Sequence, residues 1–422
     1  MELIHISQAE LEEILRKHTM FRSARMGGAR AILAYHDLSK LDLSGRDLSH
    51  ADLTGAVLCE TNLQNARLDY ATMFSTDLRF ALMQSSSLIR ADMRGVCMRG
   101  ASLISADMSG VDLREGTITN KQGVAMVPGL TSLLSRTGGV ADLSGANLSL
   151  AKLSGVVANN CDFSDAVMRG CKFVRANLQN VNLSRANLED AELSMCNVAH
   201  ANMRGSILIN VTTTSTNLST ADVQGALTSE PCGPTAKDLP VPISELLRRH
   251  LTWLSSDGKN GRRLEIDGFD LRRSTSFAHT CLSMMRARRA MLYGLDFEGA
   301  QVQVSDLRGA DLRHTNFAGA DLRGCDLTSV LFNNANLRGA SMQPLELGGE
   351  GIMETTLARA SLRFADLSNA NLTRVDFSFA DLSCANLMGA DITGTNFVGA
   401  KMDDTRLTDE QRALIHTEVP KE

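Results

Sequence analysis

Three residue types in this chain are numerous or placed well enough to suggest chemistry: histidine, aspartate and cysteine. The nine histidines are scattered, but two stand in matching surroundings. His18 lies in Glu13-Ile14-Leu15-Arg16-Lys17-His18-Thr19-Met20-Phe21, and His250 in Glu245-Leu246-Leu247-Arg248-Arg249-His250-Leu251-Thr252-Trp253. A duplicated imidazole could work as an acid–base group or bind a metal. No second ligand recurs at a fixed distance from either, so the expectation is a packed histidine whose ring bonds nearby backbone. Aspartates precede the central leucine or methionine again and again: Asp47, Asp52, Asp107, Asp112, Asp306, Asp311 and Asp321. Paired carboxylates can exchange protons with a substrate. Here the recurrence is too regular for one site, and it predicts side chains bonded to neighbouring backbone at turns. The nine cysteines form no C-x-x-C pair and are expected to be packed, reduced thiols. Phosphate loops, nucleophile elbows and H-E-x-x-H helices are missing from the sequence. It therefore predicts no catalytic residue, no cofactor site and no metal site.

What positions all these residues is a period of five. From Leu38 to Ile118, seventeen consecutive sites at this spacing are Leu, Met or Ile. The phase resumes at Leu143 and runs to Val223, with Ala158 and Thr213 as poor fits. A new phase runs from Phe277 to Leu407, with Ala287 as its main exception. Five is neither the helical nor the strand period, so another regular object is being built. The unit reads A-(D/N)-L-x-x, as in Ala51-Asp52-Leu53-Thr54-Gly55 and Ala385-Asn386-Leu387-Met388-Gly389. Only the central residue and the small one two before it are apolar enough to face a core. Thr315, Cys325 and Val330 show what else takes the small position.

These units resemble the pentapeptide repeat family over most of residues 38–223 and 264–407. The resemblance implies an all-β solenoid, a right-handed quadrilateral β-helix with four units and twenty residues per coil. Coils would stack at the ordinary strand spacing of about 4.8 Å. Stability would then be a sum of coil terms and neighbour interfaces.

The chain looks doubled. Each repeat block follows a short non-repeat segment, and the two segments share the histidine-bearing stretch, a Gly-Arg passage and then Asp37-Leu38 or Asp270-Leu271. The expected organisation is a capping-helix segment at 1–37, a β-helix at 38–228, a linker at 229–242, a second capping segment at 243–263, a second β-helix at 264–407 and a terminal cap and tail at 408–422. Ser7 with Glu10 is a capping box for the first helix, and Thr408 with Gln411 for the last. Residues 119–138 lose the motif and are expected to form a degenerate coil with a bulge. Residues 343–356 are expected to be a shorter, phase-preserving excursion.

Composition narrows the functions. Aromatic residues make up 4% of the 422, too few for a conventional core of this size. The formal net charge of −5 is small for the length and does not suit a global nucleic-acid binder. The first residues show no secretory pattern and no stretch could span a bilayer, so a cytoplasmic location is expected. Given twenty-residue coils, Arg79 and Arg99 should share one face, and Arg94 and Arg114 another. Between Lys259 and Arg289 eight basic residues face three acidic ones, and Arg262, Arg263, Arg272, Arg273, Arg286, Arg288 and Arg289 become candidates for partner binding with those four. The expectation is a non-catalytic scaffold for an acidic protein partner, with nucleic acid disfavoured. The resemblance also offers a gyrase-binding DNA mimic of the quinolone-protection type, which the near-neutral halves disfavour. A small enzymatic or ligand site in the helical segments is the third reading.

Overall fold

The computed structural model describes residues 3–116, 139–272, 276–347 and 351–418. It divides into two compact units, Met1–Glu230 and Pro231–Glu422. Each is built from the five-residue unit by one repeated bonding scheme. The small residue donates its N–H to the central residue three positions back, as Ala51 does to Leu48 at 2.9 Å, and this closes a corner. The Asp or Asn forms a parallel bridge to its equivalent twenty residues on, as in Asp52 to Thr72 and Thr72 to Asp92. The central N–H donates to the next coil, Leu53 to Thr72 at 2.8 Å. Four such ladders run through each unit. A chain that turns a corner every fifth residue therefore pairs its backbone from coil to coil. This is a β-helix solenoid.

The interior holds what the spacing predicts. Leu38 through Leu113 at the central positions are fully buried, and so are Phe297, Leu312 and Leu382 in the second unit. Ala158 and Ala287, poor fits by size, also point inward and are buried. Val223 does not: it is 42% exposed, and the last coil of the first unit is open around it. Some polar residues at the small position are satisfied inside, although the Ser86 and Ser206 hydroxyls are buried without a partner among the described residues. Thr61 donates its hydroxyl to the Leu38 carbonyl at 2.8 Å, and Cys325 its thiol to that of Val302 at 2.9 Å. Hydroxyl and thiol thus do the same work, bonding the coil below.

The ladders also show where the repeat is interrupted. Residues 119–138 lie outside the described residues. On either side of them Cys97 pairs with Asp142 and Asp112 with Val157, and Gly116 donates to Gly139 at 2.8 Å. The flanking coils stack directly on each other. The degenerate coil expected at 119–138 falls outside the described residues. In the second unit Asp326 pairs with Thr356, a step of thirty rather than twenty. The extra ten residues include an antiparallel hairpin of β3 (Leu345–Leu347) and β4 (Gly351–Met353).

Each unit begins with a different kind of structure. In the first, β1 (Ile4–His5) pairs in parallel with β2 (His36–Asp37), and α1 (Gln8–Arg22) follows β1. The Ser7–Glu10 capping box is present. Leu11 and Leu15 of α1 join the core, and the Gln8 side chain brackets Asp42, accepting its N–H at 3.0 Å and donating to its C=O at 2.9 Å. In the second unit Thr235 pairs with Asp270, and α2 (Ile243–Ser255) packs Leu246 and Leu247 against the core. Residues expected to be a linker thus carry structure: Asp270 donates to the Pro234 carbonyl at 2.7 Å, and the Cys232 N–H donates to Asp270 at 3.0 Å. At the far end α3 (Asp409–Glu418) opens on Thr408 and Gln411, which bond reciprocally. The Gln411 amide donates to the Leu387 and Ala390 carbonyls, both at 2.8 Å.

Candidate functional site

The outer faces carry three positions of every five. The Asp or Asn side chain accepts the backbone N–H two residues on, as Asp47 does from Ser49 at 2.9 Å. The aspartate rows are thus turn-bonding groups, as their regularity suggests. The fifth residue adopts a left-handed backbone, whether glycine (Gly55, φ 60°) or not (His50, φ 63°; Arg289, φ 52°). Spacing alone does not reveal this position. The recurring Gly and Asn there were the available signal, since both tolerate positive φ better than other residues.

When arginine follows Asp by two residues, its guanidinium folds back onto the carboxylate. Arg79 holds Asp77 at 2.8 Å, Arg94 holds Asp92 at 2.8 Å and Arg114 holds Asp112 at 2.7 Å. Arg99 reaches the next coil, to Asp142 at 2.6 Å. The structure places Arg79 with Arg99, and Arg94 with Arg114, on neighbouring coils of shared faces, since Asp77 pairs with Cys97 and Asp92 with Asp112. Each carries its own counter-ion. These faces are sheathed in ion pairs, not simply basic.

The start of the second unit follows the same rule. Arg272 bonds Asp270 at 2.6 Å, with side chains only 7% and 5% exposed, so it belongs to the interior of the face. Arg286 joins Glu265 at 3.1 Å and Asp267 at 2.8 Å. Arg288 and Arg308 share Asp306. Burial works against ionising Asp306, but the bonds from Arg308 and Arg288 outweigh it and hold its carboxyl at about 2. The local basic excess is therefore largely met by acids one coil away in space and about twenty residues away in sequence. Arg273 lies outside the described residues. Arg262 is exposed, and Arg263 donates to the Met284 carbonyl. Arg289 is exposed, and its side chain has no hydrogen bond or ion pair among the described residues. It borders a shallow depression of about 590 Å³ lined also by Asp267, Gly268, Arg288 and Arg308.

His18 and His250 are brought to equivalent places in their own units. Both rings are fully buried. His18 Nδ1 accepts the Ala31 N–H at 3.0 Å, and His250 Nδ1 accepts the Leu264 N–H at 3.1 Å. The rings stack on Phe21 and Trp253 respectively. All nine cysteines are free, and burial pushes the Cys59 thiol up to about 12. Among the described residues no group of His, Cys, Asp and Glu could hold a metal ion, and no helix is long and apolar enough to cross a membrane.

The family model of pentapeptide repeats matches eight copies, over residues 37–73, 76–114, 141–170, 171–210, 305–343 and 370–409. That is more than half of the chain. The chain is a pentapeptide repeat protein. No curated protein matches it in sequence. Similar solved structures include HetL, involved in heterocyst differentiation regulation in the cyanobacterium Nostoc, at 18% identity over 95% of this chain and 98% of that one, with a TM-score of 0.18. Trypsin-treated QnrB1, a plasmid-mediated fluoroquinolone resistance protein, shares 21% over 47% and 86%, with a TM-score of 0.20. A pentapeptide repeat protein of the Arabidopsis thaliana thylakoid lumen shares 27% over 35% and 77%, also at 0.20. At such TM-scores these likenesses transfer neither shape nor partner. The membership of this pentapeptide repeat protein rests on its repeats.

Proposed function

We propose that this pentapeptide repeat protein is a non-catalytic scaffold that binds a protein partner on its outer faces, with the start of the second repeat block as the contact. In this reading the coils wind right-handed, α1 and α2 cap their blocks, and the chain is one module doubled. It works in the cytoplasm, where nine free thiols stay reduced. The observation that carries it is the exposed Arg289, unpaired among the described residues, beside a depression whose other arginines, Arg288 and Arg308, are already held in place by Asp306. Fixed guanidinium groups around one unsatisfied charge suit a carboxylate from an acidic partner surface. Arg262 and Arg263 extend the same charge.

The test is a pull-down from the native cell at low and high salt, with the wild type and with Arg286, Arg288 and Arg289 replaced by Ser. An acidic protein should be recovered by the wild type, less of it at high salt, and none by the variant. A partner set unchanged in the variant removes this surface from consideration.

A further inference from the structure

In nearly all regular units the small residue's N–H bonds the central residue three positions before it. The first unit of each block has no such predecessor. Ala31 and Leu264 occupy that small position, and in both cases a histidine nitrogen supplies the missing acceptor. The other ring nitrogen, Nε2, is buried without a hydrogen-bond partner in both. Because Nδ1 accepts, the neutral ring carries its proton on Nε2. A second proton can only go on Nδ1, where it would point at the Ala31 or Leu264 N–H. Charging the ring therefore breaks this bond between helix and first coil and leaves a cation in a dry site.

We propose that His18 and His250 are acid-sensitive latches: protonation of the ring frees the helix from the first coil of its own unit. The groups facing each ring have been weighed. Around His18, burial disfavours the charged ring most, Asp47 and the Ser49 backbone favour it, and Arg22 and Arg30 oppose it. Around His250, burial again dominates, the backbone of Ser283 and Leu282 favours charge, and Arg263 opposes it. In both the balance lowers the proton affinity of the folded ring. The released chain has an ordinary imidazole, near 6.5. The latch is therefore fully closed above that pH and loosens as pH falls below it.

The experiment is hydrogen exchange on the full chain from pH 8 to pH 5, corrected for intrinsic rates. Protection over 8–22 and 243–255 should fall by up to about tenfold per pH unit below about 6.5, while 51–113 and 305–342 hold steady. In His18→Gln the amide oxygen can accept the Ala31 N–H without titrating. Protection of α1 should then lose its pH dependence, while α2 keeps it. Flat protection in the wild type, or unchanged pH dependence of α1 in His18→Gln, overturns the proposal. Should His18→Gln lack a protected α1 even at pH 8, imidazole NMR of the wild type decides. A proton on Nε2, and ring protonation that coincides with loss of α1 protection, support the latch. A ring that gains its second proton while α1 stays protected refutes it.

Discussion

The two starts of the repeat blocks solve one problem with different parts. The first coil of a solenoid has an open edge that would otherwise invite pairing with another chain. At residues 4–42 the edge is met by a short strand, by the Gln8 side chain and by a helix with a full capping box. At residues 232–270 it is met by the single pair of Thr235 with Asp270, by the Pro234 carbonyl and by a helix whose first residue follows Pro242, with no side-chain cap. The first coil there steps by twenty-one residues instead of twenty, Glu265 to Arg286. What the two share is the buried histidine and its one bond. The helix cap and the edge strand are interchangeable ways to hold a helix; the acceptor for the orphan amide recurs in both.

The largest effects should be equal at the two starts, because the shaft is the same. Leu38 and Leu271, at matching positions, are 0% and 1% exposed. Replacing either with Asp puts a charge in a dry interior, at a cost of about 3–5 kcal/mol read from calorimetry. A cost under about 1 kcal/mol at Leu271 would mean that the second start is not a packed coil.

The next effect should separate them. Arg272→Ala removes the guanidinium from Asp270, leaving it only the backbone N–H groups of Cys232 and of residue 272, and should cost about 3 kcal/mol. The first block has Ser39 at the matching place, bonded to Asp37 only through its backbone. Ser39→Ala should cost less than about 0.5 kcal/mol. Equal costs in urea melts would show that the buried pair adds nothing to the second start.

Much of this was legible from residues. The period of five gave the shaft, its core and the Asp turn bonds, because each depends on a position within one unit. The Ser7–Glu10 box and the packed roles of His18 and His250 were legible for the same reason. The charge map was not. Arg286, Arg288 and Arg308 are neutralised by Glu265, Asp267 and Asp306, and those meetings arise from stacking, which a window between 259 and 289 cuts through. The ladder that closes from Cys97 to Asp142 was equally hidden, since twenty motif-free residues can fit a coil or bypass one.

A smaller difference concerns the helices. Ser7→Ala removes the hydroxyl's bonds to the Glu10 N–H and carboxylate in α1, keeps the backbone half of the box, and should cost about 1 kcal/mol. The position preceding α2 is Pro242, which offers no side-chain bond, so Pro242→Ala should leave the helix's first turn no worse bonded. Hydrogen exchange in the first turns of α1 and α2 would check this. Loss of protection confined to α1, and only in Ser7→Ala, is the expected pattern.

The smallest effect on stability should come with the largest effect on binding. Arg286 and Arg288 are tied into ion pairs, so the triple replacement should lower the melting temperature as well as remove a partner. Arg289 is exposed and has no such partner among the described residues. Its left-handed backbone, φ 52°, strains serine no more than arginine. Arg289→Ser should therefore shift stability by less than about 0.5 kcal/mol. If an acidic protein docks here, the same change should weaken its recovery and flatten its salt dependence, because one of the attracting charges is gone. Another fifth position, His50 in the first block, stacks on Tyr70 and holds no guanidinium. His50→Ser should leave recovery of the partner unchanged. Binding that falls equally in both variants would place the contact elsewhere than on the second block's entrance.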